Sequence, residues 1–187
     1  GLAYSHTDNQ LYVSSAGAGF ISVIDIDPAT RAFKTVRRVQ LGVATTRIKL
    51  SPKTRRLGRF IYVIARDRSV RVISTATLKQ CETNLDLVTA PEAGVPLSQA
   101  GCMVNGATGT LPQRVTADAP GLRFGSWIPR EVTFVTGPEV SSDAAVPELG
   151  PTATPIQGVY ALIALSDGTI HVVNVEDWSV IKSSTDK

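Results

Sequence analysis

The sequence predicts an all-β chain on three observations: a hairpin plan that recurs three times, turn residues that bracket each copy, and no sustained 3.6-residue apolar period. The copies are LYVSSAGAGFISVID at Leu11 to Asp25, IYVIARDRSVRVIS at Ile61 to Ser74 and ALIALSDGTIHVVN at Ala161 to Asn174. Laid over one another, Ile21, Val70 and Ile170 correspond, as do Val23, Val72 and Val172, and Asp25, Ser74 and Asn174. The offsets are 49 and 100 residues. A period near 49 lies in the range of β-propeller blades, each a four-stranded antiparallel sheet. The expected fold is therefore all-β, a partial β-propeller of about three blades with a long Pro-rich insertion.

Taken in order, residues 1–10 are polar and turn-rich, ending in Asp8-Asn9-Gln10. Leu11-Tyr12-Val13 has the β-branched and aromatic bias of a strand, and Ala16-Gly17-Ala18-Gly19 is the turn after it. Ile21, Val23 and Ile26 belong to the return strand. Pro28, which cannot donate to a central ladder, fixes the turn that ends it. Ala32 to Leu41 alternates as a further strand, with Arg37 and Arg38 in its middle. Arg47 to Pro52 runs into a basic loop, Lys53 to Arg59. Phe60 to Ala65 and Val70 to Ile73 are strands around the Arg66-Asp67-Arg68-Ser69 turn, and Thr75 to Thr83 is the outgoing strand. Residues 88–157 hold nine of the eleven prolines and no clear strand before Glu131 to Val135. That density favours a surface insertion over a diverged blade. Ser166-Asp167-Gly168-Thr169 is the cleanest turn. Residues 1–87 thus read as blades, 88–157 as the insertion and 158–187 as a last blade.

Bulk composition sets the class. A chain of 187 residues can bury one sizeable core, and 43% hydrophobic with 19% charged residues is globular. The longest apolar run, Val159 to Leu165, is far short of the roughly 20 residues of a membrane span. No charged n-region with an apolar h-region opens the chain, so no signal peptide is read, and a mature chain or an internal fragment would look the same. The net charge of +3 hides an asymmetry: between Arg31 and Arg71 lie thirteen Lys and Arg against one acid, Asp67. Such a field attracts anionic partners. Arg37, Arg38, Lys53, Arg55, Arg56 and Arg59 are the candidate surface for an acidic protein or an anionic glycan. Nucleic acid ranks lower, because Phe60 and Tyr62 belong to a strand and no surface aromatics are interleaved for base stacking.

The other short motifs carry bland readings. Ala16 to Phe20 lacks the third glycine of a dinucleotide loop and leads into a strand. Asp25 and Asp27 have no following Asp/Asn/Gly series to complete a calcium shell, so no metal is expected there. His6 and His171 are the only histidines. His171, on the strand Ile170-His171-Val172, is expected to point away from its apolar neighbours as an exposed strand residue, and one histidine without a nucleophile and an orienting acid makes no triad. Cys81 and Cys102 fit no zinc spacing. They are two buried thiols or one disulfide, the latter favoured because both lie in or beside loops; it would stabilise by roughly 3 kcal/mol and imply an oxidising compartment. No catalytic residue, cofactor site or metal site is assigned.

The first two copies, extended to LYVSSAGAGFISVIDIDPATRAFKTV and RIKLSPKTRRLGRFIYVIARDRSVRVIS, resemble the bacterial YVTN-type β-propeller repeat. Tyr12-Val13, Val23-Ile24-Asp25, Ser51-Pro52 and Tyr62-Val63 match its Tyr-Val strand, Val-Ile-Asp strand and Ser-Pro turn. Lys53-Thr54 replaces its Asp-Gly, and the third copy lacks the Tyr-Val pair. The resemblance covers about half the chain and implies a propeller; propellers host enzymes, binding modules and scaffolds alike. Three blades do not close a ring, since propellers use about four to eight, and an open set leaves exposed edges. The expected role is a non-catalytic scaffold or binding module, a fragment or subunit of a larger periplasmic, cell-surface or secreted assembly. It would be closed by a protein partner or by further blades of the same protein. The alternative is a fragment of a propeller enzyme of lactonase or dehydrogenase type, with its active residues largely elsewhere.

Overall fold

A computed structural model describes residues 1–54, 58–81, 84–86, 121–137, 158–175 and 180–181. These residues form three β-sheets and no helix. Sheet one is β1 (Leu2–Ser5), β2 (Gln10–Ser14), β3 (Phe20–Ile26) and β4 (Phe33–Gln40), joined in sequence order. Sheet two is built on β5 (Thr45–Leu50), β6 (Phe60–Ala65) and β7 (Val70–Ser74), then β9 (Gly121–Arg123) and β8 (Asn84–Asp86). Sheet three is β10 (Pro129–Thr136), β11 (Val159–Leu165), β12 (Ile170–Asn174) and β13 (Val180–Ile181). Every pairing is antiparallel except β8 with β9.

The repeat seen in the sequence is a repeat of sheet position. Its corresponding residues lie on β3, β7 and β12, the third strand of each sheet. The hairpin turns of sheets two and three match bond for bond at the 100-residue offset. Ala65 N–H donates to Ser69 C=O at 2.9 Å, and Leu165 N–H donates to Thr169 C=O at 2.9 Å. Asp67 Oδ1 accepts from the Ser69 amide and hydroxyl, and Asp167 Oδ1 accepts the same pair from Thr169. This Asx-type closure needs a left-handed residue at the third turn position. Gly168 takes it freely at φ 88°, whereas Arg68 takes it at φ 66° against its own Cβ.

Cross-strand partners share a face, so the pairing gives each sheet a front, which carries Val23, Val72 or Val172, and a rear, which carries Ile24, Ile73 or Val173. The front of sheet one packs Tyr12, Ile21, Val23 and Val39 on Ile48, Ile61, Val63 and Ile73 from the rear of sheet two. The front of sheet two packs Phe60, Tyr62, Ile64, Val70 and Val72 on Val132, Ala161, Ile163, Leu165 and Val173 from the rear of sheet three. Tyr62 meets Phe134 edge to face at 5.1 Å. The three sheets therefore stack in one sense, front to rear. The middle sheet is covered on both faces, so β6 is buried at all six positions and reads as an unbroken apolar run. A fully covered Ile, Leu or Phe contributes about 1.5–3 kcal/mol, so these two layers dominate the stability of the described residues.

The first strands of successive sheets lie close together, β1 against β5 and β10 against β5 and β6. Across the second of these contacts Glu131 pairs with Arg47 and, at 3.6 Å, with Lys49. Two stretches of the 88–157 segment are integral strands: β9 continues the free side of β7 through Val70–Leu122, and β10 is the first strand of sheet three. Of the outgoing strand expected at Thr75 to Thr83, the described residues 75–81 show a bridge, Ile73 with Gln80, followed by the Cys81 amide donating to Val72 C=O. Residues 88–120 and 138–157, and with them the rest of the expected insertion, lie outside the described residues.

Candidate functional site

Two of the candidate basic residues, Arg37 and Arg38, do not share a face. Arg37 and Arg38 are adjacent on β4, and the two-residue period of a strand sends them to opposite faces. Arg37 pairs with Val23 on the front face, and its Nη2 meets Asp25 Oδ1 at 2.7 Å. Arg38 is on the rear, its guanidinium 4.7 Å from the centre of the Phe20 ring. Lys53 is exposed in the loop after β5. Arg59 is half-buried beside β6 and donates to Ser51 C=O. Arg55 and Arg56 lie outside the described residues.

What the front face does assemble is a polar layer at one end of sheet one. The Tyr12 hydroxyl donates to Gln10 Oε1 at 2.6 Å, and Gln10 Nε2 donates to Asp25 Oδ1 at 2.9 Å, the oxygen that also takes Arg37. Burial, with Asp8 adding to it, pushes the Tyr12 hydroxyl up to about 12, so it remains a donor. Asp25 is thus a front-face acceptor inside the sheet. Asp27 closes the next turn instead. It accepts from Lys34 and from the Ala29 and Thr30 amides, and these bonds, Lys34 first, hold its carboxyl down at about 2. Among the described residues no group of three His, Cys, Asp or Glu side chains could hold a metal ion.

His171 departs from expectation. By register it lies on the rear of sheet three with Ile163, and it turns toward sheet two, edge-on to the buried Phe124 ring at 5.4 Å. Partial burial lowers its pKa, against the opposing pull of Asp167. His6 is exposed and packs on Tyr4. Cys81 is fully buried and no cysteine among the described residues is free, while Cys102 lies outside them.

Sequence reasoning missed a second polar cluster, at the turn of sheet two. Arg71 is only 4% exposed. Its Nε donates to Ser69 Oγ at 2.8 Å and its Nη2 to Asp67 Oδ2 at 2.5 Å, with Arg123 Nη2 3.7 Å from the same oxygen. Burial would raise the Asp67 carboxyl, but the Ser69 and Arg71 hydrogen bonds outweigh it and hold the group below its usual range. Arg71 Nη1 and Arg123 Nε are buried without a hydrogen-bond partner. Gly121 allows the close packing: a Cβ there would sit 3.0 Å from both Arg71 Cδ and Ser69 Cβ. The cluster was legible in principle, since Asp67, Ser69 and Arg71 stand 100 residues before Asp167, Thr169 and His171.

The largest feature is apolar. Six large hydrophobic side chains are exposed among the described residues: Leu2, Phe33, Val36, Trp127, Val135 and Ile170. By register Leu2, Phe33 and Val36 stand on the rear of sheet one, through Val13, Ile26 and Ile24. Val135 and Ile170 stand on the front of sheet three, through Tyr160 and Ala164. Among the described residues both faces left over by front-to-rear stacking thus carry exposed aliphatic side chains, although Tyr160, on the front of sheet three, is itself buried. No helix among the described residues is long and apolar enough to cross a membrane. The chain matches no protein-family model, no curated protein and no solved structure.

Proposed function

We propose that the chain is part of a β-propeller of the YVTN-repeat kind and works as a non-catalytic scaffold or binding module. The observation that carries this reading is the uniform front-to-rear stacking of three sheets whose first strands converge, with one apolar face left at each end. Radial repetition of four-stranded sheets is the propeller arrangement, and a stack with uncovered ends calls for more blades or a partner. Exposed apolar faces of this kind mark protein contact sites. The expected setting is extracytoplasmic or at a cell surface, in keeping with the disulfide that the sequence reading favours for Cys81 and Cys102. Arg38 and Lys53 are exposed cations available to an acidic protein or an anionic glycan.

The test is affinity capture with the purified wild-type chain and with Val36→Asp, which puts a charge on the rear of sheet one. The wild type should retain a defined partner that the variant loses. An isolated monomer that captures nothing overturns the reading.

A further inference from the structure

The geometry points to a second copy of this chain as the occupant of the open faces: the front of sheet three in one copy docks on the rear of sheet one in the other. The inference rests on the propeller reading and goes beyond it by naming the occupant and the residues that meet.

Equivalent positions in covered and uncovered sheets carry the argument. Ile21 and Val70 occupy the same register position on fronts that are covered, and both are 0% exposed. Ile170 occupies that position on the front of sheet three and is 50% exposed. On the rear side Ile73 and Val173 are 0% exposed, while Ile24 in sheet one is only partly covered and its cross-strand partner Val36 is 60% exposed. The front of sheet three thus repeats the residue type that fronts one and two use against a rear face. The rear of sheet one repeats the type that rears two and three use against a front. One molecule carries both halves of an interface it already makes twice.

That pairing is heterologous, a front on a rear, so two copies close into a ring only if both junctions form together. Two copies of the three described sheets supply six, inside the range of about four to eight blades that close a propeller. A rear-on-rear dimer would use Leu2 and Val36 twice and leave Ile170 and Val135 bare. Neither observed junction is of that kind.

Native mass spectrometry and light scattering on the full chain, with Val36→Asp, Ile170→Asp and an equimolar mixture of the two, test this. Both substitutions fall on exposed side chains, and circular dichroism checks that each variant keeps the wild-type β signature. The wild type should run at twice the 19.9 kDa chain mass and each variant alone at the single mass. The mixture should recover the doubled mass as a one-to-one heterodimer, because one of its two junctions has a wild-type front and a wild-type rear. A wild type that stays at the single mass, one that assembles to another multiple, a dimer untouched by Ile170→Asp, or a mixture that stays monomeric overturns the inference. A monomeric wild type that still captures a partner through the Val36 face leaves the propeller reading standing without the second copy. A monomer that captures nothing removes both.

Discussion

Ile21 and Ile170 are the same residue at the same point of the repeat, third strand and front face, yet one is sealed and the other is half in water. Ile21 lies under sheet two; among the described residues no equivalent layer covers Ile170. The difference teaches that the strand pattern encodes a blade, while burial is decided by what stands in front of it. Substitution at the pair should make the contrast measurable. In urea titrations at a concentration low enough to keep the chain monomeric, Ile21→Ala should lose about 2–5 kcal/mol, the range for truncating a sealed aliphatic side chain. Ile170→Ala should stay within about 1 kcal/mol, because water already reaches the side chain. Equal losses at the two positions would mean that Ile170 is sealed in solution and that the comparison is broken.

The turns offer a second pairing, of nearly identical hydrogen bonds in unlike surroundings. Asp67 and Asp167 close their hairpins alike, but Asp67 also faces the buried Arg71 and Asp167 faces the half-buried His171. Removing the carboxylate at residue 67 leaves a guanidinium that is 4% exposed without its charge partner. Asp67→Asn should therefore cost about 2–3 kcal/mol, below the usual figure for breaking a fully buried pair because Asp67 itself keeps some contact with water. Asp167→Asn retains the turn-closing acceptor and should change stability by about 0.5 kcal/mol or less. Thermal denaturation of the two variants side by side separates a charge effect from a turn effect. A large loss at both positions would assign the stability to the charge of the turn-closing carboxylate itself and not to the pairing with Arg71.

Parts of the fold were plain in the sequence because local chemistry decides them. The 49- and 100-residue offsets found the third strand of every sheet, and Pro28 fixed the turn between β3 and β4. The fourth strand of sheet two was illegible, since β9 is three residues long and joins β7 through a single pair, Val70 with Leu122. Its position depends on Gly121 fitting against Arg71 and Ser69, a tertiary fact. The division of Arg37 from Arg38 was illegible for a different reason. Counting charge along the chain ignores the period of two that parts Arg37 from Arg38, and it cannot see Asp25 reaching Arg37 from the neighbouring strand. The apolar end faces were hidden likewise, because Ile24 and Ile73 look alike until one of them is found uncovered.

The smallest expected effect tests the polar position that the three copies share, Ser22, Arg71 and His171, all on rear faces. An arginine keeps its charge at every accessible pH, so the sheet-two junction should be indifferent to mild acid. A histidine does not. The His171 pKa in the folded chain is lowered by burial against sheet two, while in the unfolded chain it sits near 6.5. On acidification the unfolded state therefore binds its proton first. The stability from neutral His171 is fully present above about pH 6.5 and is lost as the pH falls through the folded value. Urea midpoints at about pH 7.5 and pH 5.5, a window above the usual carboxylate titrations, should differ by about 1 kcal/mol or less in the wild type. In His171→Gln the difference should vanish. A pH dependence that survives His171→Gln would place the titrating group elsewhere and detach His171 from the junction between sheets two and three.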